Sequence, residues 1–293
     1  MDGIDGLRVV VTGSSRGIGR ASAVRLGQLG AKVVINGTGS GALAETAAAL
    51  EAVGADYRMV TGSVAEPATA NALIDAAVSA FGGVDAVVNN AGIVRDRTLL
   101  KMSLEEWDDV IAVHLRGAFL VTQAAARAMK DGGGGQIVQV VSNSGLAGGF
   151  GQANYAAAKA GMMGLLRTCV LELTRLNIRT NALWPIAETD MTQVVFDRAG
   201  EAAAKAGAEA PSPAALGFGT AEQVAEGLAW LLSDAAGMLN GQCLTFNGRK
   251  AALWSHPQEC FETFSETPLS GDALSAWLET TTPQPLARPK MVP

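Results

Sequence analysis

Seven short runs of β-branched and apolar residues recur along the chain with helical stretches between them. They are Leu7–Thr12, Lys32–Asn36, Tyr57–Val60, Val84–Asn89, Gln136–Ser142, Arg179–Leu183 and Cys243–Asn247. Strands that alternate with helices pair as a parallel sheet covered on both faces, because each strand must bury two apolar sides. The intervening Ala/Leu/Glu-rich segments Gly41–Val53, Ala68–Phe81, Leu104–Lys130 and Ala153–Leu176 have helical length and composition. Right-handed crossovers then give a doubly wound sheet whose ligands bind at the carboxyl ends of the strands. The expected fold class is α/β: one seven-stranded, doubly wound parallel sheet with helices on both faces and a C-terminal extension.

With 293 residues the chain can bury a sizeable core. Hydrophobic residues make up 48% and charged residues 17%, below the ~25% charge of an average soluble domain. Much surface is therefore expected between layers or subunits, as in a homo-oligomer, either a dimer or a tetramer. A net charge of -6 disfavours general binding to nucleic acid or to an anionic membrane. Met1-Asp2-Gly3-Ile4-Asp5-Gly6 is acidic where a secretory leader is basic, and no apolar run is long enough to span a bilayer. Cys169, Cys243 and Cys260 are widely spaced, without a CxxC pair, which fits a reducing compartment. These features point to a cytoplasmic protein. The two histidines and three cysteines have no metal-ligand spacing, so no metal is expected.

Along the chain, residues 1–249 form the expected Rossmann-sized α/β domain. Within it, the Ala/Gly/Pro-rich stretch 191–219 follows the sixth strand and reads as a mobile helical lid. Residues 250–293 form an extension with one helix, Gly271–Thr280, and are too short to make their own core. The glycines within Asp131–Gly135 read as a turn into the fifth strand, since no helix start follows them.

After the first strand comes Thr12-Gly13-Ser14-Ser15-Arg16-Gly17-Ile18-Gly19, leading into a helix over Arg20–Leu29. Glycines let backbone amides approach a pyrophosphate, and the new helix turns its positive end toward it. A glycine-rich turn alone is a weak signal, and its position at the first strand–helix junction strengthens it. The Thr-Gly-xxx-Gly-Ile-Gly pattern, followed by Asn89-Asn90-Ala91-Gly92 at the end of the fourth strand, resembles the short-chain dehydrogenase/reductase family. The resemblance covers residues 5–250 and implies a Rossmann-type fold and a nicotinamide cofactor. It also implies cofactor contacts at Gly13, Ser15, Arg16, Ile18, Gly19, Thr38, Ser63, Asn90, Ala91, Gly92, Tyr155, Lys159, Pro185 and Thr189. Asn36-Gly37-Thr38-Gly39-Ser40 lacks the carboxylate that would hold the adenosine ribose of NAD. Arg16 sits where NADP-preferring members of the family often carry a base. The pattern favours NADP(H) and leaves NAD(H) open. Gly62 stands where the family commonly has Asp or Asn against adenine.

Tyr155 and Lys159 are four apart on a helical segment and share one face, so the ammonium can favour phenolate over phenol. A tyrosine of ordinary pKa, about 10, transfers protons poorly near neutrality. Lys159 together with an oxidised nicotinamide is expected to lower it. A YxxxK pair alone says little. With Ser142 thirteen residues upstream at a strand end, it resembles the family's catalytic set. That set implies that Tyr155 exchanges a proton with the reacting oxygen while Ser142 holds that oxygen. His114 occupies the position where the family usually has Asn in a water-mediated relay to the lysine. It fits either a relay or a packed core imidazole bonded to a backbone carbonyl.

Pro185-Ile186-Ala187-Glu188-Thr189 lacks the family's usual glycine after proline and is one residue shorter than its common form. With His114, Asn89–Arg97 and Phe150–Tyr155, this looks like the (3R)-hydroxyacyl-CoA dehydrogenase domain of peroxisomal-type multifunctional enzymes. The substrate implied is a small carbonyl or secondary alcohol, in first place a 3-hydroxyacyl-CoA/3-oxoacyl-CoA pair. Reduction of 3-oxoacyl-carrier-protein, oxidation of steroid or other secondary alcohols, and a silent nucleotide-binding module are the alternatives.

Overall fold

The computed structural model describes residues 1–257, 263, 265–266 and 268–281. Cys260 and part of the expected extension lie outside the described residues. The chain divides into two compact units, Met1–Leu253 and Trp254–Pro293. Among the described residues no helix is long and apolar enough to cross a membrane.

The first unit runs β1 (Arg8–Val11), α1 (Gly17–Gln28), β2 (Lys32–Gly37), α2 (Ser40–Ala52), β3 (Tyr57–Thr61), α3 (Pro67–Phe81), β4 (Ala86–Asn89), α4 (Leu104–Ile111) and α5 (Gly117–Gly132). It continues through β5 (Gly135–Val140), α6 (Ser144–Ala147), α7 (Ala153–Leu173), β6 (Ile178–Pro185), α8 (Gln193–Lys205), α9 (Ala221–Leu232), β7 (Cys243–Phe246) and β8 (Ala251–Leu253). The second unit carries α10 (Gly271–Thr281). The sheet order is β3-β2-β1-β4-β5-β6-β7-β8. The order reverses between β1 and β4, which opens a crevice beyond their carboxyl ends.

The seven expected strands are all present and mutually parallel. An eighth, β8, pairs antiparallel with β7 and corrects the expectation of a purely parallel sheet. Its cause is local. The Asn247 side-chain oxygen accepts from the backbone N–H groups of Arg249 and Lys250, and Gly248 has φ +89°, so the chain reverses onto the sheet edge.

Both faces of the sheet are buried. Val9, Val11, Val33, Ile35, Val88 and Leu183 face α1, α2 and α9 through Leu26, Leu50 and Leu228. Val10, Val34, Val87 and Ile137 face α3 and α5 through Leu73, Val121 and Met129. Adjacent strand residues point to opposite faces, which explains why the strands read as continuous apolar runs rather than alternating ones. Helix α9 was not among the segments read from sequence. It opens on a capping box in which Thr220 and Gln223 satisfy each other's backbone amides. The long helix read over Leu104–Lys130 is interrupted by a π-helical turn at Ala112–Arg116.

Candidate active site

Every expected cofactor residue lies at the carboxyl end of a strand, in the turn that follows it, in the first turn of α1 or in α7. Gly13 and Gly17 have φ of +62° and +54°, a region that glycine adopts without steric cost. A Cβ on Gly13 would sit 2.6 Å from Ala91 Cα, and one on Gly19 would sit 2.2 Å from the Gly13 carbonyl oxygen. The glycine loop and Asn90–Gly92 are thus in direct backbone contact across the crevice. Asn90 Nδ2 donates to the carbonyls of Thr12 and Gly13, each at 3.0 Å. Thr12 Oγ1 accepts from the amides of Asn90 and Ala91 at 3.0 Å.

Helix α1 begins without a side-chain cap and without an acid in its first turn. Its first amides are therefore open to an anion, and the positive φ of Gly13 and Gly17 turns the loop so that it leads straight into them. This cradle fits a dinucleotide pyrophosphate. Ser15 lends its carbonyl to Arg20, Ile18 packs on the core, and Arg16 is exposed, 3.8 Å from Asp190. Thr189 approaches within 3.5 Å of where a Gly17 Cβ would lie. The segment after Pro185 therefore lies against the glycine loop.

At the adenosine side, Thr38 is exposed, and Ser63 Oγ accepts from the Ala65 amide. Asn36 is turned inward: Oδ1 accepts from Gly13 N at 3.3 Å, and Nδ2 donates to the Val60 and Gly62 carbonyls at 3.1 Å. Gly62 has φ +147°, and a Cβ there would meet Thr69 Oγ1 at 2.5 Å. The carboxylate or amide that the family carries at this position has no room here.

At the chemical end, Tyr155 and Lys159 share one face of α7, with Lys159 Nζ 5.6 Å from the phenol ring centroid. Lys159 is buried and donates to the Val140 carbonyl at 2.6 Å. Burial pulls its pKa down to about 7. Burial pushes Tyr155 up to about 12; a hydrogen bond with Ser142 opposes this and the charge of Asp96 adds to it. The expected lowering of Tyr155 by its lysine neighbour is absent in the protein alone. The reason is physical: the ammonium is turned to Val140, and burial makes its own charge costly.

His114 lies in the π-helical turn, edge-on to Tyr155 with ring centroids 5.1 Å apart. Its Nε2 is 2.7 Å from the Ile93 carbonyl oxygen and 3.0 Å from the Ile93 amide nitrogen. Burial, reinforced by the charge of Lys159, pulls its pKa down to about 3. The imidazole is neutral and bonded to backbone, which is the second of the two roles read for it. A relay through a charged imidazolium is not supported by this environment.

Sequence reading missed Asn154. Its side chain is fully buried, and it connects the tyrosine to the loop after β4 and to α4. Nδ2 donates to the carbonyls of Arg95 at 3.1 Å and Glu106 at 2.8 Å, and Oδ1 accepts from Tyr155 N at 2.8 Å. Gln152 likewise bridges Ser144 and Asp96. The available signal was a polar residue beside the tyrosine in a first helical turn that has no other side-chain cap. Beyond β6, the expected lid contains helix α8, and Phe196 contacts Phe218 edge-on. A cavity of about 220 Å³ lies beside the 212–219 stretch, lined among others by Glu188, Pro213, Phe218 and Arg249.

Comparison with known proteins gives a consistent set of relatives. The family described as short chain dehydrogenase matches residues 8–200. A hydroxyacyl-CoA dehydrogenase of Mycobacterium tuberculosis is 42% identical over 268 residues, spanning 87% of this chain and 81% of its own. A 3-oxoacyl-(acyl-carrier-protein) reductase of Escherichia coli is 39% identical over 246 residues, 83% of this chain and 97% of its own. A crystal structure of a short chain dehydrogenase from Mycobacterium avium superposes with a TM-score of 0.81 at 33% identity, covering 96% of this chain and 97% of that one.

Proposed function

Because this chain belongs to the short-chain dehydrogenase/reductase family, whose members are NAD(P)(H)-binding oxidoreductases of CH–OH groups, we propose that it interconverts a 3-hydroxyacyl-CoA and a 3-oxoacyl-CoA. The observation that carries this reading is the placement of Ser142, Tyr155 and Lys159 beyond the carboxyl end of central strand β5, on the same rim of the sheet as the glycine cradle after β1. When bound, the nicotinamide supplies the hydride donor or acceptor. Tyr155 Oη gives its proton to the substrate oxygen in reduction and takes it back in oxidation. Ser142 fixes that oxygen by a hydrogen bond and favours the phenolate as the proton leaves. Lys159 adds positive charge under the tyrosine once it is protonated, and its carbonyl tether to Val140 keeps it at the base of the site.

The cofactor is proposed to be NADP(H). Asn36, near the end of β2, spends its side chain on Gly13, Val60 and Gly62, and no carboxylate follows before Glu45. Arg16 is exposed beside the loop, with only a long contact to Asp190, so it is free to meet a 2′-phosphate.

A CoA thioester is favoured over a carrier-protein thioester by His114 and by the short Pro185-Ile186-Ala187-Glu188-Thr189 segment, the features that look like the hydroxyacyl-CoA dehydrogenase pattern. The hydroxyacyl-CoA dehydrogenase relative agrees with this choice, and the carrier-protein reductase relative keeps the second reading in play. The stretch 191–219 is proposed to act as the lid, and a dimer or tetramer as the working assembly, the latter in keeping with exposed Leu171 on α7 and Phe119 on α5.

The test follows nicotinamide absorbance with NADPH and NADH against acetoacetyl-CoA, acetoacetyl-carrier-protein and simple ketones. Preference for the CoA thioester with NADPH supports the assignment. Preference for the carrier-protein thioester moves it to the second reading, and turnover of neither thioester removes both.

A further inference from the structure

His114 is 2% exposed, and its ring is fixed from three sides. Its edge abuts Tyr155, and Gly92 backs onto it so closely that a Cβ there would lie 2.3 Å from Cε1 and 3.0 Å from both ring nitrogens. On the third side, Nε2 meets the backbone of Ile93. The π-helical turn adds a residue to the helix at this point, a feature frequent at functional sites. The imidazole thus joins the loop that shapes the cofactor crevice to the ring that exchanges the proton.

The proton on this imidazole follows from the two contacts to Ile93. A bare Nε2 would accept from the Ile93 N–H at 3.0 Å but would set its lone pair against the Ile93 carbonyl oxygen at 2.7 Å, and the shorter, more repulsive contact decides between the two tautomers. A proton on Nε2 makes that contact a hydrogen bond, and Nδ1, which is buried without a partner, is left as the unprotonated nitrogen. We infer that His114 is a neutral positioning residue whose Nε2–H donates to the Ile93 carbonyl, holding the Gly92–Ile93 loop and the Tyr155 ring in register, and that it exchanges no proton in turnover. This inference rests on the oxidoreductase reading of Tyr155. The ionisable groups that bear on the ring, Tyr155 and Lys159, both come from α7. With burial they hold the ring neutral, so it stays an unvarying donor.

The chain has two histidines, His114 and His256, so a nitrogen-15 histidine spectrum of the full chain is simple to assign, with His114→Gln identifying the signals. The expected result is an Nε2–H tautomer for His114 that does not titrate between about pH 5 and pH 9, although a free histidine changes charge near 6.5. An Nδ1–H tautomer, or a midpoint inside that range, overturns the inference. Kinetics give the second readout. His114→Gln, which keeps a side-chain N–H for Ile93, retains kcat within about threefold, the scale of one weakened hydrogen bond. His114→Leu, which has none, loses about tenfold to a hundredfold in kcat, the cost of misplacing a reacting group. Both variants keep the wild-type shape of the pH profile. Loss of a limb of that profile in both overturns the inference. The spectrum needs no substrate, so inactivity toward thioesters would count against the proposed reaction while leaving this test intact.

Discussion

Replacing Asn154 by alanine probes the joint that carries Tyr155, the proposed acid/base. The side chain makes three hydrogen bonds from a fully buried position: two donated, to the carbonyls of Arg95 and Glu106, and one accepted, from Tyr155 N. A typical hydrogen bond contributes about 1 kcal/mol net, and a buried partner left unpaired costs about 1–3 kcal/mol. Glu106 lies within α4, where a helical carbonyl has a second acceptor role, so the Arg95 carbonyl and the Tyr155 amide dominate. The sum is about 2–4 kcal/mol of lost stability. Urea unfolding at neutral pH, read by the shift in midpoint at constant slope, measures it. A loss below about 0.5 kcal/mol, the range of ordinary surface substitutions, would refute the assignment of Asn154 as a joint.

Asn154→Asp extends the test with a defined sign. A buried carboxylate facing two carbonyls has its folded pKa raised above the unfolded value. The folded state then binds more protons than the unfolded one between those two values, so the variant loses stability as pH rises through the folded pKa. The gap between Asn154→Asp and wild type should therefore be wider at pH 8 than at pH 5.

Three further outcomes are expected. Gly62→Asp restores the family's adenine-side carboxylate, but it meets a positive φ and Thr69 Oγ1 at 2.5 Å; a loss of about 1–3 kcal/mol in thermal or urea unfolding is expected, and a stabilised variant would contradict the geometry. Lys159 has its folded pKa pulled down to about 7 from 10.5, so the unfolded chain binds the extra proton between those values and wild-type stability rises with pH there. Stability of wild type relative to Lys159→Met should accordingly improve from pH 7 to pH 9; a flat difference would show that Lys159 keeps its charge. Arg16→Ala should weaken NADPH binding about tenfold, the loss of one charge-assisted contact, and leave NADH binding unchanged in a fluorescence titration. Equal loss for both cofactors would place Arg16 on the shared pyrophosphate instead.

The parallel strands and most helices were legible because burial on both faces forces continuous apolar runs such as Val9-Val10-Val11 and Ala86-Val87-Val88. Motif spacing, read through the family resemblance, singled out Ser142, Tyr155 and Lys159 as candidates, and the fold brings the three together, since a side chain's place at a strand end or on a helix face follows from local geometry. What escaped depends on contacts between distant segments. β8 is Ala-Ala-Leu, with no β-branched residue to announce a strand, and exists because Asn247 turns the chain back. Asn154 looked like one more residue in a helical stretch until the loop at Arg95 and helix α4 were brought against it. The pKa of Tyr155 was misjudged for the same reason: four residues of spacing bring Lys159 close, but only the fold turns its ammonium to the Val140 carbonyl.

The central claim is that Tyr155 exchanges the proton while a nicotinamide cofactor carries the hydride. It is tested most directly by mixing wild type and Tyr155→Phe with NADPH and acetoacetyl-CoA, following cofactor binding by fluorescence and turnover by absorbance. The account predicts that Tyr155→Phe binds NADPH with wild-type affinity and loses at least about a hundredfold in turnover, the scale of general acid catalysis. Turnover within a few-fold of wild type would contradict it and assign the proton to another group.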